Sequence, residues 1–250
     1  MVTTFLGALR GEAIPSQKHC ARLLLMSIVR HKTFGKTARP TIYYLTGYGS
    51  RIKQLSAHIH TLVLSGYRVV AFEYDKSILN HGDPDFLVEA LHDIARAIER
   101  DKKNHTVAGV YGISLGSWLG ANVLVMCDIR SGMFNTGADN MVRVIWDNPH
   151  FAAEKSMFER NGHTRSSLQK IWGPYEFTRD GRRWNGKHAL IMSSRGDEML
   201  DIAEVENNIR SWQKGGDDIQ WMVHRSFRHM PVIIRNMFRI HKTPKFFKTP

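Results

Sequence analysis

Ser114 stands between two glycines in Gly112-Ile113-Ser114-Leu115-Gly116. A short apolar, β-branched run from Thr106 to Tyr111 leads into it, and an apolar segment from Ser117 to Cys127 follows. This pattern predicts a strand, a very tight turn and a helix, with the serine at the apex of the turn. Side chains at the two glycine positions would collide with neighbouring backbone in such a turn. The geometry pushes the hydroxyl out at the end of a sheet and sets it at a helix N-terminus, where free amides and the helix dipole favour developing negative charge. Serine is a poor nucleophile at neutral pH, so it needs a base, and the base needs an orienting carboxylate.

Catalytic groups in open parallel sheets lie beyond the carboxyl ends of the strands. The aspartates and histidines that follow late strands are therefore the candidates. Asp197 follows a predicted strand ending at Ser194, with Glu198 and Asp201 later in the same turn. Asp147 follows Met141–Trp146, which also reads as a strand, and is the rival acid. His229 comes a few residues after a predicted strand ending near His224; His224 itself is expected to pack or to meet solvent.

Alternating strands and helices must position these groups. Thr41–Leu45 and Arg68–Tyr74 are β-branched and aromatic runs that read as strands, the second nearly continuously apolar, as a sheet covered on both faces requires. Between them a helix to about Ser65 carries Ile52, Leu55, Ile59, Leu62 and Val63 on one face, and Gly66 stops it. Asp83-Pro84 opens a helix with Leu87, Leu91, Ile94 and Ile98 on its inner face. Lys187–Ser194 and Ile219–His224 read as strands, Ile202–Lys214 as a helix, and a last helix starts around Met230-Pro231 and runs to about Ile240. Arg22–Arg30 reads equally as strand or helix, and Lys32–Pro40 as a basic loop. Residues 148–186 are irregular, polar and aromatic, with a short helix near Ser166–Trp172. This alternation argues for one α/β domain over residues 1–250, a mostly parallel sheet with helices on both faces.

From about Thr41 to Ile240 the sequence resembles the α/β-hydrolase superfamily, whose nucleophile elbow has the form Gly-x-Ser-x-Gly between a strand and a helix. The resemblance implies the chain order nucleophile, acid, histidine, and so assigns Ser114, Asp197 and His229. It also implies an oxyanion hole made by backbone amides. One would come from Leu115, directly after the nucleophile, and one from Tyr48. Tyr48 lies in the turn Thr46-Gly47-Tyr48-Gly49, where the family usually reads His-Gly. Insertions corresponding to residues 148–186 form a cap in this superfamily; here the segment is too short for a large separate lid. Its aromatic residues, Phe151, Phe158, Trp172, Tyr175, Phe177 and Trp184 among them, suit the wall of an acyl pocket.

The bounds set by composition agree. Two cysteines, Cys20 and Cys127, make neither a disulfide framework nor a metal site. No phosphate-cradling loop, Cys/His metal cluster or dinucleotide fingerprint is present, so the implied chemistry uses no cofactor and no metal. No run approaches the ~20 apolar residues of a membrane span, and the N-terminus does not read as a secretory signal, so a cytoplasmic location is the expectation. The net charge of +12 permits steering of anionic substrates or peripheral contact with acidic surfaces. Basic residues cluster at Lys32–Arg39, Arg179–Arg183 and Arg235–Lys248, without a nucleic-acid-binding motif. The expected activity is hydrolysis of carboxylic esters or thioesters of a small-molecule acyl substrate, with an oligomeric state the sequence leaves open. Acyl transfer on the same residues, or a non-catalytic binding protein with this fold and a basic surface, are the alternatives.

Overall fold

The computed structural model describes residues 28–137, 140–177, 184, 186–238 and 246–247. Cys20, the Arg179–Arg183 cluster and most of the Arg22–Arg30 stretch lie outside the described residues. Seven strands among the described residues form one sheet in the order β1-β3-β2-β4-β5-β6-β7. They are β1 (Val29–Phe34), β2 (Thr41–Leu45), β3 (Arg68–Tyr74), β4 (Val107–Ile113), β5 (Ser131–Asn135), β6 (His188–Ser194) and β7 (Ile219–His224). All neighbours run parallel except β1, which pairs antiparallel with β3 at one edge.

Helices join the parallel strands: α1 (Ser56–Leu64), α2 (Asp85–Asp101), α3 (Leu115–Met126), α4 (Met141–Asp147), α5 (Ala152–Arg160), α6 (Arg165–Trp172), α7 (Ile202–Lys214) and α8 (His229–Phe238). Strand side chains alternate between faces, and both faces are covered. Tyr43, Leu45, Phe72, Val110 and Ile191 pack with α2, α3 and α7, while Ile42, Tyr44, Tyr111, Ile113 and Met192 pack with Ile59 and Leu62 of α1 and Ile233 of α8. Every residue of β2 is buried, which accounts for its unbroken apolar and aromatic sequence. At the opposite end from the serine, Arg68 clamps Asp101 through two 2.7 Å hydrogen bonds, and the Tyr43 hydroxyl donates to the same carboxylate at 3.0 Å.

Two expectations are corrected. Met141–Trp146 is not a strand but helix α4. The Asn140 side chain accepts the Arg143 N–H at 3.0 Å as an N-cap, and the buried Glu176 carboxylate takes the Met141 and Val142 N–H groups. Met141, Val142 and Ile145 form its buried face, a spacing that fits a helix as well as the alternating letters fit a strand. The strand of this region is instead β5, Ser-Gly-Met-Phe-Asn, wholly buried. Small residues serve there because helix α3 lies close: a Cβ on Gly132 would stand 2.5 Å from Leu124. The second correction is that Lys32–Pro40 is not all loop, since β1 runs to Phe34. Only Val29 of β1 is fully buried, and exposed basic residues on an edge strand protect it from pairing with another chain.

Candidate active site

The parallel register brings the carboxyl ends of the strands together. Leu45 pairs with Gly112, Ile113 with Asn135, Asn135 with Met192, and Ser194 with His224. Ser114 therefore follows the central strand β4 directly, at a turn flanked by the ends of β2 and β5. Its φ of 51° lies in the left-handed region, a conformation that costs a non-glycine residue about 1–3 kcal/mol. The two glycines permit the turn. A Cβ on Gly112 would overlap the Gly116 backbone, and one on Gly116 would overlap the carbonyl oxygens of Leu45 and Thr46.

His229 starts α8, and its Nε2 lies 3.0 Å from Ser114 Oγ. Its Nδ1 lies 3.0 Å from both carboxylate oxygens of Asp197. Asp197 and His229 are 6% and 7% exposed, so this contact is largely withdrawn from water, where a charge-assisted hydrogen bond is stronger. With Nδ1–H donating to the carboxylate, Nε2 is left free to accept the serine proton. The Met199 N–H donates to Asp197 Oδ1 at 2.9 Å and fixes the carboxylate from a second side. Ser194 ties the acid turn to the histidine loop, because its Oγ accepts from Gly196 N at 3.3 Å and from Phe227 N at 2.8 Å.

The other carboxylates do different work. Asp147 ends α4 and pairs with Arg165 at 3.0 Å on the surface. Asp201 is the N-cap of α7, accepting from Ala203 and Glu204 and pairing with Arg143. Glu198 accepts the His229 backbone N–H at 3.0 Å. Although what burial it has pushes that carboxyl up, backbone hydrogen bonds from Glu198 and His229 outweigh it and hold the pKa below the usual range. His224 is buried, with Nε2 donating to Asn236 Oδ1 at 2.8 Å.

Leu115 is the first residue of α3, so its N–H has no partner within the helix and lies one peptide from the nucleophile. The turn after β2 packs against the elbow: a Cβ on Gly47 would stand 3.4 Å from Ser114 Cβ. The Tyr48 side chain anchors this turn. Its hydroxyl donates to Asn80 and, at 3.1 Å, to Glu154 of α5. Burial and the Glu154 carboxylate push the phenol up, which keeps it a donor.

Asn135 is the site residue that sequence reasoning missed. Its carbonyl accepts Ser114 N–H at 2.9 Å and Ser117 Oγ–H at 3.1 Å, so it holds the elbow. Its side chain donates to the Ile233 carbonyl at 3.1 Å and accepts from Asn236 at 2.8 Å, both on the helix that begins with His229. One side chain thus joins the nucleophile's turn to the histidine's helix. The signal for it is a strand ending at residue 135, which the Ser-Gly start of β5 conceals.

The space near the site is unequal. A cleft of about 460 Å³ borders Asp197 and is lined by Arg143, Asp147, Arg195, Glu198 and Glu204, but not by Ser114 or His229. A cavity of about 30 Å³ lies beside Ser117, walled by Phe134, Phe177, Trp184 and Trp212. The aromatic residues of 148–186 are mostly core. Phe158, Trp172, Phe177 and Trp184 are buried, and Trp172 donates its indole N–H to the Pro84 carbonyl at 2.9 Å. Phe151 and Tyr175 stay partly exposed.

No family model matches the chain, and no curated protein matches its sequence. Solved structures do match its fold. An esterase from Pyrobaculum calidifontis is 18% identical and superposes with a TM-score of 0.63 over 88% of this chain and 81% of its own. A carboxylesterase from Nitrososphaera gargenis is 14% identical, with a TM-score of 0.59 over 86% of this chain and 93% of its own. An acylaminoacyl peptidase from Pyrococcus horikoshii gives 0.65 at 14% identity, over 94% of this chain but 44% of the peptidase. With the strand order, the elbow and these superpositions together, the chain has the α/β-hydrolase fold.

Proposed function

We propose that this protein is a serine hydrolase that cleaves carboxylic esters or thioesters through an acyl-enzyme on Ser114. The observation that carries the proposal is the hydrogen-bonded chain from Ser114 Oγ through His229 to the Asp197 carboxylate, at 3.0 Å per step. Ser114 Oγ attacks the acyl carbon while His229 Nε2 takes its proton, and Asp197 stabilises the imidazolium. The Leu115 and Tyr48 amides receive the oxyanion. His229 returns the proton to the departing alcohol or thiol. It then deprotonates a water that attacks the acyl carbon, releasing the acid and restoring the serine. Helix α5 borders one side of the site, joined to the oxyanion turn through Glu154 and Tyr48. The esterase and peptidase identities of the structural neighbours support the reaction class.

The test is a hydrolysis panel of aryl esters, acyl thioesters, lactones and aminoacyl amides with wild type and Ser114→Ala. Loss of the serine or the histidine of such a set costs on the order of a million-fold in kcat. Ser114→Ala is expected to lose turnover and fluorophosphonate labelling while melting close to the wild-type temperature, because the side chain is only partly buried and its removal leaves no large cavity and loses one part-buried hydrogen bond, to His229. A Ser114→Ala variant that hydrolyses esters at the wild-type rate sinks the proposal.

A further inference from the structure

The outer face of α8 is apolar, and its surroundings are basic. Met230, Ile234 and Phe238 are 59%, 48% and 82% exposed, and they are three of the four large exposed hydrophobic residues among the described residues, Leu64 being the fourth. Spaced at i, i+4 and i+8, they share one stripe of the helix. Pro231 is exposed beside them, and with Ile234, Arg235 and Phe238 it lines an open groove of about 600 Å³. The opposite face of the helix, Val232, Ile233 and Asn236, is buried in the domain, so the stripe cannot turn inward. Arg225, Arg228 and Arg235 are exposed around it, with Arg235 held over the Phe227 ring at 4.8 Å. From Ile219 to Pro250 the sequence has seven Lys and Arg residues and not one Asp or Glu. Glu198, at the start of the helix, is the carboxylate that its backbone engages.

We infer that this face docks on an anionic lipid surface. The stripe is narrow and shallow, as for a helix lying in the plane of a bilayer interface with its apolar side chains at the headgroup boundary. The exposed Arg225, Arg228 and Arg235 complement negatively charged headgroups. A second copy of the chain fits worse, because a two-fold pairing would set this positive surface against itself. No described helix is long and apolar enough to cross a membrane, so the contact is peripheral. The stripe begins at Met230, next to His229, and docking brings the serine's surroundings to the lipid.

Cosedimentation with vesicles tests the inference, using 1:1 phosphatidylglycerol and phosphatidylcholine against phosphatidylcholine alone. Wild-type protein is expected to pellet with the anionic vesicles and to be released by raised salt. The double variant Ile234→Asp with Phe238→Asp is expected to lose on the order of tenfold or more in partitioning, since it replaces apolar contact with like charge to the lipid. Leu64→Asp, the same change off the stripe, is expected to bind as wild type. All three alter exposed side chains, and circular dichroism melts establish that each is folded. The inference is overturned if wild type stays in the supernatant, if the double variant pellets equally well, or if Leu64→Asp is as damaging. It is overturned too if the wild type sediments as a dimer that the double variant dissociates, which would make the stripe an interface between copies. Turnover of a water-soluble ester, measured alongside, reports separately on the proposed catalysis: its absence would remove the hydrolase reading and leave the docking result standing.

Discussion

Asp197 and Asp147 carry the same functional group and differ in what surrounds it. Asp197 is buried between His229 Nδ1 and the Met199 N–H, whereas Asp147 sits half in water on a surface arginine. An exposed pair of that kind contributes little. Asp197→Asn is therefore expected to lower kcat/KM by about 10⁴, since an amide favours the wrong imidazole tautomer, and Asp147→Asn to leave it within about twofold. The two histidines divide the same way. His229→Ala is expected to approach Ser114→Ala in its effect on kcat. His224→Ala strands Asn236, and its cost of about 1–3 kcal/mol should appear in stability. Steady-state kinetics beside denaturant melts separate the two outcomes; a crippled Asp147→Asn would move the acid to α4. These residues were legible because strand-end position, together with the chain order that the α/β-hydrolase resemblance implies, restricts the choice. Asn135 was not, because a buried amide has no sequence pattern of its own and its strand begins with two residues of low β-propensity.

At the scale of the element, the strands with β-branched or aromatic sequence were read at nearly their observed bounds. Thr41–Leu45 and Arg68–Tyr74 coincide with β2 and β3. The failures have a common cause. In β5 and α4 tertiary contacts override local preference: the packing of α3 on Gly132 selects a small residue in a strand, and Asn140 with Glu176 converts an alternating sequence into a helix. The segment 148–186 illustrates the same point. Its aromatics read as a pocket wall, yet Trp172 is 0% exposed and meets Phe158 edge-on at 5.5 Å. Trp172→Ala is expected to cost about 3–5 kcal/mol, lowering Tm by roughly 10 °C, as followed by differential scanning calorimetry. A melt within 2 °C or so of wild type would mean that α6 is not fastened to the core through this side chain.

For the molecule as a whole, His58 makes stability depend on pH. Burial pushes its imidazole down to about 4, and Nδ1 is spent on the Tyr44 hydroxyl at 2.8 Å. The unfolded chain takes up this proton below about 6.5, while the fold keeps the ring neutral until about 4. The contribution is thus fully present above pH 6.5 and is lost as pH falls from 6.5 to 4, by up to about 3 kcal/mol. Urea unfolding at pH 7 and pH 4.5 measures it. His58→Phe is expected to show the smaller difference between the two, and an unchanged difference would exclude this histidine as the source. The span of the chain between Ser114 and His229, 115 residues, has a consequence in time. During synthesis the elbow leaves the ribosome long before β7 and α8 exist, so Ser114 is made well before the histidine that its hydroxyl contacts. Parallel strands so far apart in sequence pair slowly, because the loop entropy is lost before the contacts form. On the proposed mechanism, regained ester turnover should accordingly be the last signal to recover on refolding, behind far-ultraviolet ellipticity, because Ser114 meets His229 only when β7 has closed the sheet and α8 has docked.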